Sequence, residues 1–160
     1  MAWGNIAKCA WSDKFRQPSA DELRSGLPKP LQLIFDDARR HFDDMPQISE
    51  VLVWQGVPWR WTFVLLGPAS AEPRALAYLI PDPSRVQVCV PLTHEQIERL
   101  NLKRMKKSIR DGVVFARNVN GVWWPTWDVP TKTALDEVLE LVGLKHAMIV
   151  GAESPATVGA

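Results

Sequence analysis

The feature that most constrains this chain is a row of four short β-like segments between residues 49 and 90. Each segment is rich in Val, Leu, Ile or Trp, and glycine and proline residues that favour turns separate it from the next. Connections this short allow only antiparallel neighbours, because parallel strands need a crossover of about a dozen residues or more. The sequence therefore predicts an antiparallel meander at the centre of the fold.

Alternation in residues 59–66 assigns the side chains of the second segment to two faces. Successive side chains of a strand point to opposite sides, so we expect the bulky odd-numbered residues to share one face: Trp59, Trp61, Phe63 and Leu65. Arg60 then points the other way, which rules out a clamp in which it lies between two tryptophans. The odd-numbered face is either part of the core or an aromatic platform for a flat ligand.

Helices are predicted on both sides of the meander in sequence. Apolar residues recur at helical spacing in residues 31–42, 94–111 and 133–147, with a break expected near Asn101. Helices of this kind bury their apolar faces against a sheet. We therefore expect an α+β fold, with an antiparallel sheet of five or six strands packed by helices mainly on one face.

Local signals predict where several helices begin and end. Two capping boxes mark helix starts, one formed by Ser19 with Glu22 and one by Thr93 with Gln96. Thr133 is expected to begin the last helix. Gly112 is expected to form the C-terminal cap of the helix that precedes it.

A β-hairpin is predicted around Asn120-Gly121, a dipeptide typical of two-residue hairpin turns. Residues 113–119 are expected to form its first strand and residues 122–129 its second. Pro125 has no N–H group to donate to a ladder, so we expect it at a sheet edge or at a bulge.

The 160 residues are enough for one domain with its own core. We expect residues 1–18 to form an arm that packs its aromatic side chains on the body of the protein. Residues 19–150 are expected to form a single α+β domain, and the small and polar residues 151–160 a flexible tail. Residues 1–10 lack the long apolar stretch of a signal peptide.

Charge and cysteine content limit the classes of partner and compartment. The net charge of +1 provides no global field to attract nucleic acid or a membrane surface. Cys9 and Cys89 do not make a disulfide framework, so a cytoplasmic location is the expectation. No apolar run is long enough to span a bilayer, and no membrane partner is expected.

The chain is rich in tryptophan, with eight in total, and six of them fall in two stretches: Trp54, Trp59 and Trp61, then Trp123, Trp124 and Trp127. Neighbouring residues of a strand face opposite sides. One of Trp123 and Trp124 therefore stays outside the core unless the N-terminal arm covers it, and exposed tryptophan can mark a contact surface.

These tryptophans lead to two functional hypotheses. The first is non-catalytic binding of a small aromatic or hydrophobic ligand in a cleft between sheet and helices, with candidate residues Trp59, Arg60, Trp61, Tyr78, Trp123 and Trp124. The second is a protein-interaction module, in which Trp123, Trp124 and Trp127 form a homodimer or partner surface. Plain packing in the core explains the same residues and stays open.

A less favoured candidate is a basic stripe made by Arg99, Lys103, Lys106 and Arg110 at helical spacing. Such a stripe on one helix could contact phosphates or nucleic acid. No nucleic-acid-binding motif accompanies it, and a solvated helix face is the favoured explanation, because basic runs alone are weak signals.

No motif of catalysis or metal binding is present in the sequence. The three histidines, His41, His94 and His146, lie far apart and outside the usual metal-binding and catalytic patterns. We therefore expect no catalytic residue, no metal site and no cofactor.

A resemblance rests on the pattern E-x-x-x-x-x-G-x-P-W-R-W at Glu50 to Trp61, on Tyr78 and Pro81, and on the element order over residues 28–147. In these features the chain resembles an uncharacterised family of small bacterial domains related in shape to the YdhG-like domains. The resemblance implies an antiparallel sheet with helices on one side, and it carries over no catalytic residue. Some YdhG-like domains are linked to iron handling, but here arginines interrupt the acidic helix that such a role would use.

Overall fold

The computed structural model describes the backbone of residues 9–153 and the side chains of residues 9–151. Its helices are α1 (Ala20–Ser25), α2 (Lys29–Asp43), α3 (His94–Arg99), α4 (Lys107–Val114) and α5 (Lys132–Glu153), with single 3₁₀ turns at Ala10–Ser12 and Leu102–Arg104. Its strands are β1 (Ser49–Trp54), β2 (Trp61–Leu66), β3 (Ala75–Asp82), β4 (Arg85–Cys89), β5 (Leu92–Thr93), β6 (Asn118–Val119), β7 (Val122–Trp123) and β8 (Thr126–Asp128).

The strands form two antiparallel sheets. The larger has the order β1-β2-β3-β4-β8, so its first four strands follow one another as a meander. The smaller has the order β5-β7-β6. The expected α+β fold with a five-stranded antiparallel sheet is confirmed.

Strand register gives the large sheet an inner and an outer face. Across neighbouring strands, Phe63 lies opposite Leu79, Leu79 opposite Val88, and Val88 opposite Trp127, and this row defines the inner face. The Phe35 ring of α2 contacts Phe63 with ring centroids 5.5 Å apart. The row offset by one residue defines the outer face and consists of Val64, Tyr78, Cys89 and Thr126.

Both predicted capping boxes are present. The Ser19 hydroxyl accepts a hydrogen bond from the backbone N–H of Glu22 at the start of α1, and Thr93 does the same for Gln96 at the start of α3. The expected break near Asn101 is also present, because α3 ends at Arg99 and α4 begins only at Lys107.

The expected C-cap at Gly112 and the strand over residues 113–119 are both wrong. Gly112 lies inside α4, which continues to Val114, and only Asn118–Val119 is extended. The Trp127 indole packs against this turn of α4 and donates a hydrogen bond from Nε1 to the Ser108 carbonyl, with a distance of 3.0 Å. The glycine therefore allows a close approach of a strand residue and does not end the helix.

The hairpin at Asn120-Gly121 is present, and both residues have positive φ, at 53° and 86°. Its returning strand is shorter than expected, since residues 122–129 divide at Trp124 and Pro125 into β7 and β8, which belong to different sheets. Pro125 lies at this division, where its missing N–H group breaks no ladder, and its carbonyl accepts a hydrogen bond from the Val90 N–H.

The last helix differs from expectation at both ends. The Thr131 hydroxyl, not Thr133, accepts the N-terminal hydrogen bond from the Ala134 N–H. The helix continues to Glu153, so the first residues of the expected tail, 151–153, are helical. The other residues of that tail and residues 1–8 of the arm lie outside the described part of the chain.

Alanine at Gly112 should destabilise the protein, because its Cβ would lie 2.3 to 2.6 Å from atoms of the Trp127 ring. Overpacking of this kind costs about 1–3 kcal/mol and outweighs the gain in helix propensity, about 1 kcal/mol. We expect Gly112→Ala to lower the midpoint of urea unfolding.

The matched control is Gly143→Ala in α5, where a new Cβ would meet no atom within 4 Å. That variant should be neutral or more stable than the wild type, by up to about 1 kcal/mol. Equal unfolding midpoints for the two variants would contradict the close approach of Trp127 to α4.

Candidate functional site

The turn between β1 and β2 determines where Trp59 lies. β2 begins at Trp61, and Arg60 has a φ of 61°, in the left-handed region that non-glycine residues rarely adopt. The Gln55 N–H donates to the Arg60 carbonyl, with a distance of 2.8 Å, which closes the turn. The alternation expected from residue 59 is therefore wrong at Trp59 and holds only from Trp61 to Leu65.

Trp59, Tyr78 and Trp124 form a cluster on the outer face, which we call the three-ring surface. The Trp59 and Tyr78 centroids are 5.1 Å apart, those of Tyr78 and Trp124 are 5.7 Å apart, and those of Trp59 and Trp124 are 6.4 Å apart. The rings are tilted or edge-on to one another, the arrangements that aromatic quadrupoles favour. All three residues are half-buried, so each keeps some surface that solvent can reach.

The ionisable groups at this surface are neutral at physiological pH. Burial raises the pKa of Tyr78, and the neighbouring Cys89 raises it further. Cys89 lies opposite Tyr78 in the sheet register, and burial raises the pKa of its thiol to about 12, against the opposing effects of Thr126 and Lys145. The three-ring surface therefore presents uncharged aromatic groups above a neutral, buried thiol.

The structure does not bring Trp61 and Arg60 to the three-ring surface. Trp61 is a core residue, only 7% exposed, and packs edge-on against Trp54 with centroids 5.7 Å apart. Its indole Nε1 donates to the Asp13 carbonyl, with a distance of 2.8 Å. The Arg60 guanidinium lies 5.0 Å from the centroid of Trp11, which is buried. Both residues thus tie the described part of the N-terminal arm to the domain.

The second tryptophan stretch is divided among three locations. Trp124 belongs to the three-ring surface, whereas Trp123 in β7 packs on His94, with centroids 5.9 Å apart. Trp127 is buried against α4. The structure does not bring Trp123, Trp124 and Trp127 together on one surface, because the chain divides at Pro125 and Trp127 enters the core. A role of these residues in protein interaction stays a prediction.

The cleft between sheet and helices has a different character from the one expected. A groove of about 370 Å³ lies between α2 and β1. Most of its lining is charged, and none of the six candidate residues lines it: Asp36, Arg39, Arg40, Phe42, Asp43, Ile48, Glu50 and Leu65. Phe42 is the one aromatic residue of this lining, and it is almost completely buried, so the candidate site moves to the outer face.

The basic stripe is not continuous. Arg99 is the last residue of α3, Lys103 lies in a 3₁₀ turn, and Lys106 precedes α4, so helical spacing does not align these residues on one face. Within residues 9–153, no group of three or more His, Cys, Asp or Glu side chains is placed to hold a metal ion. No helix in that part of the chain is long and apolar enough to cross a bilayer.

Lys145 is a residue that sequence reasoning did not single out. Its side chain is completely buried, and its Nζ donates hydrogen bonds to three backbone carbonyls, those of Ala75 (2.8 Å), Leu76 (2.9 Å) and Pro91. The signal was its position in the apolar stripe of α5, four residues after Leu141 and four before Ile149. The residue joins α5 to the start of β3 and to the connection after β4.

Burial of Lys145 couples protein stability to pH. Burial lowers the pKa of its amine to about 7, since the charged form loses its hydration, and Cys89 opposes this shift. In the unfolded chain the amine has its ordinary pKa of 10.5. The unfolded state thus binds this proton more tightly than the folded state. The contribution of Lys145 to stability is complete above the unfolded pKa, decreases as pH falls, and is lost below about 7.

Lys145→Met should remove this pH dependence and also leave the three carbonyls without their shared donor. Between about pH 7 and 8.5, we expect the unfolding free energy of the wild type to rise relative to the variant by about 1 kcal/mol per pH unit. Above about pH 10.5, where the amine is neutral in both the folded and the unfolded state, the variant should be less stable by about 2 kcal/mol, the cost of unsatisfied buried acceptors. Urea unfolding at several pH values measures both effects.

Lys132→Met is the matched control, because Lys132 is an exposed lysine of the same helix that pairs with Asp136, with a distance of 3.4 Å. Its removal should leave the dependence of stability on pH unchanged. Parallel pH profiles for the wild type and Lys145→Met would contradict the assignment of a lowered pKa to Lys145.

Comparisons of the chain with family models, with curated proteins and with solved structures gave no match.

Proposed function

We propose that this protein binds a small, flat aromatic or hydrophobic molecule at the three-ring surface and does not transform it. The observation that carries the proposal is the convergence of Trp59, Tyr78 and Trp124 on the outer face, where each residue is only half-buried. They come from three separate places in the chain: the β1–β2 turn, the middle of β3 and the connection between β7 and β8.

The surface has the properties that recognition of a flat ligand requires. Stacking on an aromatic side chain contributes about 1–3 kcal/mol for a ring the size of a nucleobase. The rings support one another, and the backbone of β3 holds Tyr78 in the middle of a five-stranded sheet, so little side-chain freedom is lost on binding. A neutral Tyr78 adds a phenol group that can donate or accept a hydrogen bond.

A binding role without catalysis is favoured by the location of Cys89 and Lys145, the two groups whose pKa values are shifted furthest from their ordinary values. Cys89 and Lys145 are both fully buried, so a bound molecule does not reach either. The described geometry gives no support to phosphate binding by the basic stripe, because its residues do not align on one helix face. It gives no support to a role in iron handling either, because acidic residues of α2 form ion pairs with arginines, as in Arg24–Asp36 and Arg40–Asp37.

Removal of either indole of the three-ring surface should weaken binding of flat aromatic compounds. The probes are indole and 1-anilinonaphthalene-8-sulfonate, titrated by calorimetry. We expect Trp59→Leu and Trp124→Leu each to weaken binding at least about tenfold, the equivalent of about 1.4 kcal/mol of lost stacking.

The matched control is Trp123→Leu, which removes the neighbouring half-buried indole that packs on His94 instead. Binding should be unchanged in that variant, and circular dichroism should show all three variants folded. Failure of both probes to bind the wild type, or an equal loss in Trp123→Leu, would refute the proposal.

A further inference from the structure

The large sheet has an open edge at β1. Among residues 9–153, no strand pairs with the outer side of β1, which is the first strand in the order β1-β2-β3-β4-β8. Four of its six residues are exposed, including Val51 at 38% and Val53 at 39%. A regular edge strand with free N–H and C=O groups is a template for pairing with another strand.

Of the features that normally prevent such pairing, β1 carries only a single charged residue, Glu50, which is paired with Arg39. Its sequence, SEVLVW, contains no proline, lysine or arginine, and its register with β2 is regular from Ser49 to Trp54. Natural sheets protect exposed edges with those residues or with bulges. The bulge of this sheet lies instead in the interior, between β2 and β3 at Leu65 and Leu66.

The hydrogen-bonding groups that β1 turns outward follow from the adjoining turn. The Gln55 N–H donates to Arg60, towards β2. Backbone groups in an antiparallel ladder alternate in direction from one residue to the next, so Val53 and Val51 also bond towards β2. The N–H and C=O groups of Trp54, Leu52 and Glu50 therefore point to the open edge.

This edge is complementary to itself. In an antiparallel pair of two copies related by a two-fold axis at Leu52, each Leu52 forms a hydrogen-bonded pair with its equivalent. Glu50 of one copy then lies opposite Trp54 of the other, and Val51 lies opposite Val53. The pairing covers residues 50–54, five of the six residues of β1, and every outward-pointing backbone group among them meets an outward-pointing partner.

Charge also favours a second copy in this register. Glu50 is the one charged residue of β1, and both its carboxylate oxygens accept hydrogen bonds from Arg39 of α2, with distances of 2.7 and 3.0 Å. Its charge is therefore neutralised within each copy. The two-fold axis at Leu52 also keeps the two Glu50 side chains apart, whereas an axis at Glu50 would place like charges opposite each other.

We infer that the protein forms a homodimer through antiparallel pairing of its two β1 strands, which joins the five-stranded sheets into one ten-stranded sheet. The exposed valines of both copies then form a continuous apolar strip on the outer face. The inference uses residues distinct from the three-ring surface, so it stands or falls separately from ligand binding.

Analytical ultracentrifugation of the full chain at about 1–100 µM tests the pairing, because the fraction of dimer rises with protein concentration. We expect the mass of the wild type to approach twice that of one chain at the upper end of this range. The double variant Val51→Lys/Val53→Lys should remain monomeric, because each introduced lysine would lie opposite another across the two-fold axis. The control Val119→Lys, at an exposed valine of β6, should dimerise like the wild type.

A charge-reversed partner separates loss of pairing from loss of folding. The variant Val51→Glu/Val53→Glu should also be monomeric alone, and mixing it with the lysine variant should restore a dimer of one copy of each. Indole binding by the lysine variant serves as an independent readout of the proposed ligand site. A monomeric wild type, a dimeric lysine variant, or a mixture that stays monomeric would each overturn the inference.

Discussion

The division of the large sheet into two unlike faces is the constraint on which the rest of the structure depends. Strand register sends Phe63, Leu79, Val88 and Trp127 to the inner face, where they pack beneath the helices. The outer face still carries apolar residues, including Val64 at 5% exposure, although the packed helices α2 and α4 lie on the other side. On this face Tyr78 lies opposite Val64 in the register, and the rings of Trp59 and Trp124 pack on Tyr78.

Much of the fold could be predicted from the sequence, because the determining signals are local. The meander follows from period-two alternation and from the turns between segments, and the starts of α1 and α3 follow from capping boxes around Ser19 and Thr93. In each case the residues that carry the signal are near neighbours in the chain, and the tertiary contacts agree with the local signal.

The candidate site was harder to predict, because it depends on backbone geometry and on distant contacts. The left-handed conformation of Arg60 turns Trp59 away from the face of Trp61, and alternation alone gives no sign of it. Gly112 has the sequence appearance of a helix end, and only the approach of Trp127 explains its presence inside a helix. Lys145 lies in an apolar stripe, and its three carbonyl partners belong to segments 54 to 70 residues away.

The separation of two consecutive residues, Trp123 and Trp124, has a mechanical consequence. Trp123 belongs to the β6–β7 hairpin, and the Trp124 N–H donates to the Arg117 carbonyl at the base of that hairpin, with a distance of 2.9 Å. The Trp124 ring lies against Tyr78 on the other sheet. A single peptide bond thus separates a side chain of the small sheet from one that packs on the large sheet, so any change in the position of the β6–β7 hairpin would also displace the Trp124 ring.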